Sequence, residues 1–440
     1  MSSVNRTAPR KMVKNHEGAS VPANKDAEKQ LRRLTMANML FEDQFYIDGA
    51  STAELLAKYV KMVDPKSVQA IAREAREQFK LRHVPLQIMR ELARIGKMEA
   101  SALADIIQRP DEIGEFISLY WKDKKQPLAN QVKKGLAQAF NKFNEYQFAK
   151  WNKNSAAVKL RDALFLVHAK PQNSAQTELF KKIADDALSV PDTWETNLSA
   201  GADKKETFTR LMAEKKLGAL AFIRNLRNMV QAGVDEQLIR SYAKNVNTDR
   251  ILPFRFIAAA RIVPQFEDML EEMMLRSLES HEKLPGKTVL VIDVSGSMFG
   301  TMISSKSDLQ RFDAAAALAV LAREICEEVE IYSFSRSAVR VAPRRGFALV
   351  EAISDSQYHG GTDLGKSMHE IHSKVSSYDR AVIFTDEQSQ SRGVPSPKGK
   401  GYIINVAAYE NGINSGSYTT ISGMSEAIID FIQMAEKSGW

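Results

Sequence analysis

The sequence is poor in cysteine and has no long apolar run. Cys326 is the only cysteine among 440 residues, so the chain cannot form an internal disulfide. This shortage is typical of proteins in a reducing compartment and predicts a cytoplasmic location. No apolar stretch reaches the roughly 20 residues that a membrane-spanning helix needs, and the polar, basic N-terminus shows no secretory signal. We therefore expect neither a disulfide-stapled scaffold nor a membrane protein.

Positive charge is unevenly distributed along the chain. The formal net charge is +7, yet residues 286–440 hold 15 Lys and Arg against 18 Asp and Glu. Residues 1–285 therefore hold the other 46 basic and 36 acidic residues. This excess indicates a polyanionic partner for the first part of the chain. The alternative is a mildly basic, solvated surface without a partner.

The residue pattern divides the chain into three parts. Residues 1–25 are polar, basic and without a period, which predicts a flexible tail. Residues 26–285 form a train of amphipathic helices with short breaks, among them a capping-box pattern at 51–54 and a start at Asp64-Pro65. Successive helices of this kind favour antiparallel, HEAT-like pairs over a compact bundle.

Residues 286–440 alternate strand and helix patterns. A strongly apolar helix is predicted over 308–328, with Cys326 inside it, and buried-type strands at 329–334 and 381–385. The alternation predicts a doubly wound, Rossmann-like sheet of about six strands. The chain is thus expected to be a multidomain protein with an α part and an α/β part.

A chemically informative motif follows the first strand of this second part. The aliphatic run 289–292 suits a buried parallel strand and leads into Asp293, Ser295 and Ser297. Carboxylate and hydroxyl oxygens suit Mg²⁺, and ligands bind at the carboxyl ends of strands in such sheets. Alone, the motif could also be an ordinary polar turn.

Two later positions make the motif specific. Thr362 follows a Gly-rich loop, and Asp386 ends another buried-type strand. Together the five positions resemble the metal-ion-dependent adhesion site of the von Willebrand factor A family. The resemblance implies a divalent metal, Mg²⁺ or Mn²⁺, with an acidic ligand from a partner completing its coordination. The alternative is a site kept for packing, or one that stays empty.

The most basic region lies in the middle of the chain. Lys133 and Lys134 precede Phe140, Phe143 and Phe148. Basic residues interleaved with aromatic ones suit phosphate contact and base stacking. At helical spacing, however, these phenylalanines are more typical of a core.

A segment just beyond this region carries a second resemblance. Residues 159–171, which contain Arg161, His168 and Lys170, resemble the Arg/Lys-Asp-x-Leu…His-x-Lys-Pro signature of the TROVE module of the Ro autoantigen family. Residues 219–226 and 251–255 also look like that module. A helical module followed by a von Willebrand A domain is the order of Ro proteins, and the chain resembles a bacterial or phage-type member.

The resemblance implies a monomeric ring of HEAT-like helices closed by the von Willebrand A domain. Ro proteins bind small noncoding Y RNAs on the outer basic face and single-stranded 3′ ends of misfolded RNAs in the hole. Bacterial relatives work with 3′-to-5′ exoribonucleases. No catalysis is attached to the module, so the chain is expected to be an RNA quality-control scaffold and not an enzyme.

The residues expected to contact RNA are Lys133, Lys134, Arg161, His168 and Lys170. For His168 the alternative is a helix-terminal histidine that bonds a free carbonyl. A metal-dependent protein-interaction scaffold without an RNA role is the second function considered. A metal-dependent hydrolase is the third and weakest, because nothing beside Asp293 and Asp386 suggests a general base and the histidines form no ligand cluster.

Overall fold

The structure is a computed structural model, and its residues form two compact units. It describes residues 12–14, 20–22, 27–35, 49–152, 155–249, 251, 253–279, 281–302, 309–386, 393–406, 417–422 and 427–437. One unit comprises Met1–Thr52, Gly218–Arg227 and Ile239–Trp440, and the other comprises Ala53–Leu217 and Asn228–Leu238. Most of the predicted tail lies outside the described residues, but Met12–Lys14 (β1) and Ser20–Pro22 (β2) form an antiparallel pair.

Helices dominate the first two thirds of the chain, as predicted. They are α1 Ala27–Thr35, α2 Gly49–Met62, α3 Pro65–Glu77, α4 His83–Arg94, α5 Ala100–Ile106, α6 Asp111–Tyr120, α7 Asn130–Phe140, α8 Glu145–Trp151, α9 Leu160–Val167, α10 Ser174–Ala184, α11 Trp194–Ser199, α12 Lys204–Ala213, α13 Ala219–Gln231, α14 Glu236–Asn245, α15 Pro253–Ile262 and α16 Glu267–Leu278. Within the described ranges, no helix is both long and apolar enough to cross a membrane.

In the Ala53–Leu217 unit, several helices pack against the helix that comes two places later along the chain. Helix α3 packs against α5, α5 against α7 and α7 against α9, while α4 packs against α6. Each helix also contacts its sequence neighbour in the pairs α3/α4 and α4/α5. Stacked helix pairs bury a continuous core between two layers, which confirms the HEAT-like prediction.

Sequence signals predict the start of α3 correctly and the start of α2 incorrectly. Asp64 caps α3 through its carboxylate, which accepts from Lys66 N at 3.0 Å and Ser67 N at 3.1 Å, with Pro65 at the first helical position. The capping box predicted at 51–54 is wrong, because α2 already begins at Gly49. Ser and Thr are tolerated in a first turn, so they do not by themselves fix a helix start.

A buried ion pair joins α3 to α6. Arg76 Nη2 donates to both oxygens of Glu112, at 2.6 and 2.8 Å, and Glu112 has no exposed surface. The same carboxylate accepts from the backbone N–H groups of Gln108 and Arg109 at 2.8 and 3.1 Å. Because each buried charge has partners, the pair is tolerated, but removing one partner leaves the other charge uncompensated.

The remainder of the chain forms a six-stranded sheet flanked by helices. The strands are β3 Leu284–Asp293, β4 Cys326–Phe334, β5 Ala338–Val341, β6 Arg380–Thr385, β7 Lys400–Asn405 and β8 Thr419–Ser422, in the order β5-β4-β3-β6-β7-β8. Among these described strands, only β5 pairs antiparallel to its neighbour. The helices are α17 Arg311–Ile325, α18 Gly346–Ser354, α19 Leu364–Lys374 and α20 Ala427–Lys437. The predicted doubly wound α/β architecture is confirmed.

The predicted helix 308–328 is too long at its C-terminal end. Helix α17 ends at Ile325, and Cys326 is the first residue of β4, where it pairs with Leu284 of β3. The sequence around this boundary, residues 323–328, mixes charged and apolar residues and contains no Pro or Gly, so tertiary pairing with β3 decides the boundary. Helix α18 and strand β8 are elements that the sequence pattern did not predict.

Helices α15 and α16 pack against the sheet's helices α17 and α18 within the same compact unit. Arg261 of α15 forms a two-point ion pair with Asp313 of α17, with N to O distances of 2.8 and 2.5 Å. Glu271 of α16 accepts from Phe347 N at 2.8 Å. The domain boundary predicted between residues 285 and 286 stays a prediction. Helices α15 and α16 precede this boundary and pack against α17 and α18, which follow it.

We expect Glu112→Ala to destabilise the helical unit by about 3 to 5 kcal/mol, because it leaves Arg76 buried and uncompensated. Denaturant unfolding followed by tryptophan fluorescence measures this, since Trp121, Trp151 and Trp194 all lie in that unit. The control is Asp105→Ala, whose partner Arg73 is 34% exposed and should cost less than about 1 kcal/mol. Equal losses of stability in the two variants would contradict the role of the buried pair.

Candidate metal centre and nucleic-acid surface

Asp293 is the last residue of the central strand β3, and its carboxylate is completely buried. Its Oδ1 accepts from Ser295 N at 2.8 Å, and its Oδ2 accepts from the Thr385 hydroxyl at 2.6 Å. The bond from Thr385 follows from the parallel pairing of β3 with β6, which places the two strand ends side by side, whereas the bond from Ser295 N closes the turn after β3. The carboxylate is therefore fixed before any ligand binds.

Ser295 and Ser297 lie in the turn that follows β3. Residues Gly296–Met298 form one turn of 3₁₀ helix, and the Ser295 and Ser297 hydroxyl oxygens are 3.3 Å apart. Ser295 is buried and Ser297 is half-buried. The turn thus brings two hydroxyl groups together beside Asp293.

The loop that carries Thr362 is bonded to this turn. Gly296 N donates to Gly360 O at 2.9 Å, and Asp363 N donates to Ser335 O at 2.7 Å. Asp363 then caps α19 by accepting from Lys366 N at 3.0 Å. These bonds hold the buried Thr362 at the same carboxyl edge of the sheet as Ser297.

Asp386 follows β6 directly and is also completely buried. Arg311, the first residue of α17, places Nη1 3.3 Å from Asp386 Oδ2. The guanidinium is nearly buried as well. Among the described residues, Arg311 is therefore the cation that lies beside these two neighbouring carboxylates.

The Asp293 carboxyl is affected both by its burial and by its neighbour Asp386. Burial, together with the negative charge of Asp386, raises the pKa of the Asp293 carboxyl to about 7. A bound divalent cation would reverse that shift by stabilising both ionised carboxylates. Three hydroxyls and two carboxylates are hard oxygen donors of the kind that Mg²⁺ accepts. The residues present thus fit a magnesium site.

No group of three or more His, Cys, Asp or Glu side chains that could hold a metal occurs among the described residues. A site of two carboxylates and three hydroxyls is not of that type. Metal binding by the five residues therefore stays a prediction. The surrounding segments 303–308 and 387–392 lie outside the described residues.

Two residues of this centre were missed by sequence reasoning. Arg311 comes from a helix start far from the motif, and only the tertiary fold brings it to Asp386. Thr385 stands next to Asp386 in the sequence, where a hydroxyl beside a strand-end carboxylate was a visible signal. Arg311 and Thr385 each contact a carboxylate of the centre, although neither belongs to the five-position pattern.

The predicted RNA-contact residues are placed by α7 and α9, which pack together. Lys134, Arg161, His168 and Lys170 are exposed, and Lys133 is half-buried. Within the described part of the chain, no carboxylate lies within 4.0 Å of these four Lys and Arg side chains. His168 ends α9 in the left-handed conformation, with φ of 53°, and its backbone N–H bonds Leu164 O.

The phenylalanines of the basic region belong to the core. Phe140, Phe143 and Phe148 are buried, and the Phe140 and Phe148 rings stack with centroids 5.7 Å apart. The core interpretation of these residues is therefore confirmed over base stacking. Trp151 differs, because it is only half-buried and lies under the guanidinium of Arg109 at 3.5 Å.

The fold and its strand-end residues define a class of protein, namely an α-helical module joined to a von Willebrand A domain that has the metal-site pattern. The TROVE domain family matches residues 186–317, and the Ro60 vWA domain family matches residues 287–398. The segment 159–171 lies before the first match. The two matches together span residues 186–398 and follow one another in the order of a Ro protein.

Solved structures agree on the fold. The crystal structure of the Ro (RSR) protein of Deinococcus radiodurans is similar, with a TM-score of 0.63 and 18% identity over 91% of this chain and 97% of that one. An aerotolerance-related membrane protein from Bacteroides fragilis, with serine substitutions, matches 27% of this chain and 66% of its own at 16% identity. Its TM-score of 0.22 is too low to establish a shared fold.

We expect Thr385→Val to destabilise the sheet by about 1 to 3 kcal/mol, because the buried Asp293 carboxylate loses a hydroxyl donor without a change of shape at Thr385. Hydrogen exchange of the β6 amides measures the local loss. Thr419→Val, at an exposed position of β8, serves as the control. Unchanged β6 exchange in Thr385→Val would contradict the role of this bond.

Proposed function

We propose that the chain is a non-catalytic, RNA-binding protein of the Ro type. The observation that carries the proposal is a set of exposed cations on α7, on α9 and just after α9, among them Lys134, Arg161 and Lys170, with no carboxylate within 4.0 Å among the described residues. RNA phosphates are the natural counterions for such a surface. The match to the TROVE domain family supports the same partner, because the resemblance to Ro proteins implies RNA binding by this module.

Other arginines of the same unit are paired with carboxylates, and this difference strengthens the proposal. Arg90 bonds Glu91 and Asp123, both at 2.6 Å, and Arg210 bonds Asp192 at 2.8 Å. Those arginines serve the fold. The lysines and Arg161 on α7 and α9 have no such carboxylates among the described residues, so their charge is available to a ligand.

The finer form of the proposal names the RNA. A small noncoding, Y-like RNA and the single-stranded ends of misfolded RNA are the ligands that the family resemblance implies. The chain would then act as a scaffold in RNA quality control or processing, with a 3′-to-5′ exoribonuclease as partner. An exposed cationic surface suits structured RNA, since duplex RNA is recognised mostly through its backbone and shape.

We also propose that the strand-end centre binds Mg²⁺, with Mn²⁺ as a substitute. Ser295, Ser297 and Thr362 would supply hydroxyl oxygens, and Asp293 and Asp386 would supply carboxylates to the ion or to its waters. The burial of both carboxylates, with Arg311 as the neighbouring cation in the described part of the chain, supports this assignment. The ion would supply a Lewis-acidic position for an acidic ligand.

A second candidate function is protein interaction at this metal edge without an RNA role. Tyr358 is 88% exposed and lies two residues before Gly360, whose carbonyl accepts from Gly296 of the metal-site turn. A large exposed aromatic side chain beside a cation site suits an acidic segment of a partner protein. RNA binding remains the first candidate, because protein binding at this edge does not require the basic surface of α7 and α9.

If the chain binds RNA through α7, a Lys133→Ala, Lys134→Ala double variant should bind structured small RNA more weakly, whatever the nucleotide sequence of that RNA. The slope of log affinity against log salt concentration should flatten by about one unit for each phosphate that the variant no longer neutralises. Fluorescence anisotropy between about 50 and 200 mM salt measures both quantities.

The matched control is Lys204→Ala, Lys205→Ala, a neighbouring exposed pair at the start of α12. This pair should keep the wild-type affinity and slope. If both double variants lose affinity equally, binding is diffuse and α7 is not the RNA-binding helix. Wild-type behaviour of the α7 variant would move the RNA elsewhere, for example to the exposed Lys122, Lys124 and Lys125.

The metal proposal predicts that Asp293→Ala abolishes Mg²⁺ binding, because the fixed carboxylate at the centre of the donor set is removed. Isothermal titration calorimetry with Mg²⁺ alone measures this. Asp379→Ala is the control, since Asp379 lies at the opposite end of β6 and accepts from Lys287 N. Equal Mg²⁺ affinity in wild type and Asp293→Ala would refute the site.

A further inference from the structure

Helix α9 carries a large aromatic side chain on its exposed face. Phe165 is 57% exposed, whereas Leu160, Leu164 and Val167 of the same helix are buried. The spacing of the three buried residues places them on the face that packs against α6, α7 and α10. Phe165 therefore contributes little to the core that fixes α9. Single exposed apolar side chains are common, so the surroundings of Phe165 decide whether it has a role.

The ring of Phe165 has no stacking partner in the part of the chain that the structure describes: no other aromatic ring stacks on it and no cation lies over it. Other aromatic side chains of the same unit differ. Phe140 stacks on Phe148, and Tyr146, which is 54% exposed, has the Lys150 ammonium 5.9 Å from its ring centroid. The Phe165 ring is thus accessible to a planar ligand.

Basic side chains flank Phe165 along the chain. Lys159 and Arg161 precede it and Lys170 follows it, with Asp162 as the one acidic residue between Lys159 and Lys170. All three cations are exposed, and none has a carboxylate within 4.0 Å among the described residues. Arg161 lies one helical turn before Phe165, so its guanidinium shares a face with the ring. The ring is therefore part of a cationic surface.

The other two polar residues of this face lie at the ends of α9. Asp162 is in the first turn, where a carboxylate complements the helix dipole. His168 is the C-cap and is exposed three residues after Phe165. An imidazole, like a phenyl ring, stacks on unpaired bases in RNA-binding proteins. Both neighbours of the ring are thus compatible with a nucleic-acid ligand.

This composition favours a nucleic acid over a protein as the ligand. A protein interface buries about 800 Å² on each partner around an apolar centre. Of the eight residues of α9, all of them described, Phe165 is the large apolar one that is exposed, and its exposed neighbours Arg161 and Asp162 are charged. One ring among cations matches one base next to its phosphates. Bases inside a duplex are covered by their neighbours, so the base must be unpaired.

We propose that Phe165 stacks on one unpaired base of the RNA ligand, while Arg161 and its neighbouring cations hold the phosphates next to that base. The inference rests on the proposed RNA binding and adds a stacking contact to it. Stacking tolerates every base, because each base has a π face. The contact therefore distinguishes unpaired from paired nucleotides, and the chain should favour RNA with unpaired nucleotides over an uninterrupted duplex.

The test compares the full chain with its Phe165→Leu variant, which keeps an apolar side chain and loses the ring. Leu is a good helix former and Phe165 is largely exposed, so the variant should fold as the wild type does. By fluorescence anisotropy, we expect it to bind a single-stranded uridine oligonucleotide at least about fivefold more weakly, the lower end of the losses for base-stacking side chains. The slope of log affinity against log salt concentration should not change, because no phosphate contact is lost.

Three controls separate stacking from other effects. Phe165→Tyr keeps a ring and should bind as the wild type does. Tyr146→Leu removes an aromatic side chain of nearly equal exposure, whose ring already lies next to Lys150, and it should also keep the wild-type affinity. An oligomer of abasic sugar phosphates carries the charges without the bases, so the wild type and Phe165→Leu should bind it equally.

Wild-type affinity of Phe165→Leu for the uridine oligonucleotide would overturn the stacking assignment and leave a protein partner as the candidate for this ring. Equal weakening on the uridine and abasic oligomers would overturn it too, because the loss would not involve a base. RNA binding itself would stand in both cases. Failure of the wild-type chain to bind the uridine oligonucleotide would overturn this inference alone if structured RNA still binds, and both proposals if it does not.

Discussion

The α/β part of this protein depends on two carboxylates placed at the ends of neighbouring buried strands. Parallel pairing of β3 with β6 brings the buried residues Asp293 and Asp386 to one edge of the sheet. Replacing either carboxylate by a neutral side chain would change the charge balance of that edge. The two carboxylates accept hydrogen bonds from Thr385 and Ser295 and form an ion pair with Arg311. These contacts offset part of their negative charge. The result is a rigid, electron-rich centre that favours a small, hard cation.

The helical part handles charge in the opposite way. Inside it, Arg76 and Glu112 neutralise each other between α3 and α6. On its surface, Lys134 and Lys170 have no neutralising partner among the described residues. The cations that neutralise buried carboxylates are therefore separate from those that stay exposed on the surface. A loss of surface lysines should leave the helix stack intact, since those lysines contribute little to packing.

The fold class, and the meeting of Asp293 and Asp386 at one edge of the sheet, could be predicted because both rest on local patterns. Asp293 and Asp386 each end an aliphatic run, and parallel strands bring such ends together whatever the intervening sequence. The end of α17 at Ile325 could not be predicted, because pairing with Leu284 decides it. Arg311 was missed for the same reason, since it meets the distant residue Asp386 only in the folded chain.

The single cysteine has a practical consequence for spectroscopy. Cys326 is buried at the start of β4, and burial raises the pKa of its thiol, so alkylating reagents should leave the native chain unmodified. A cysteine introduced at the exposed Tyr358 position would then be the one reactive thiol in the chain. A spin label or fluorophore attached there would report on the edge of the sheet that carries Asp293 and Asp386, in an otherwise unlabelled protein.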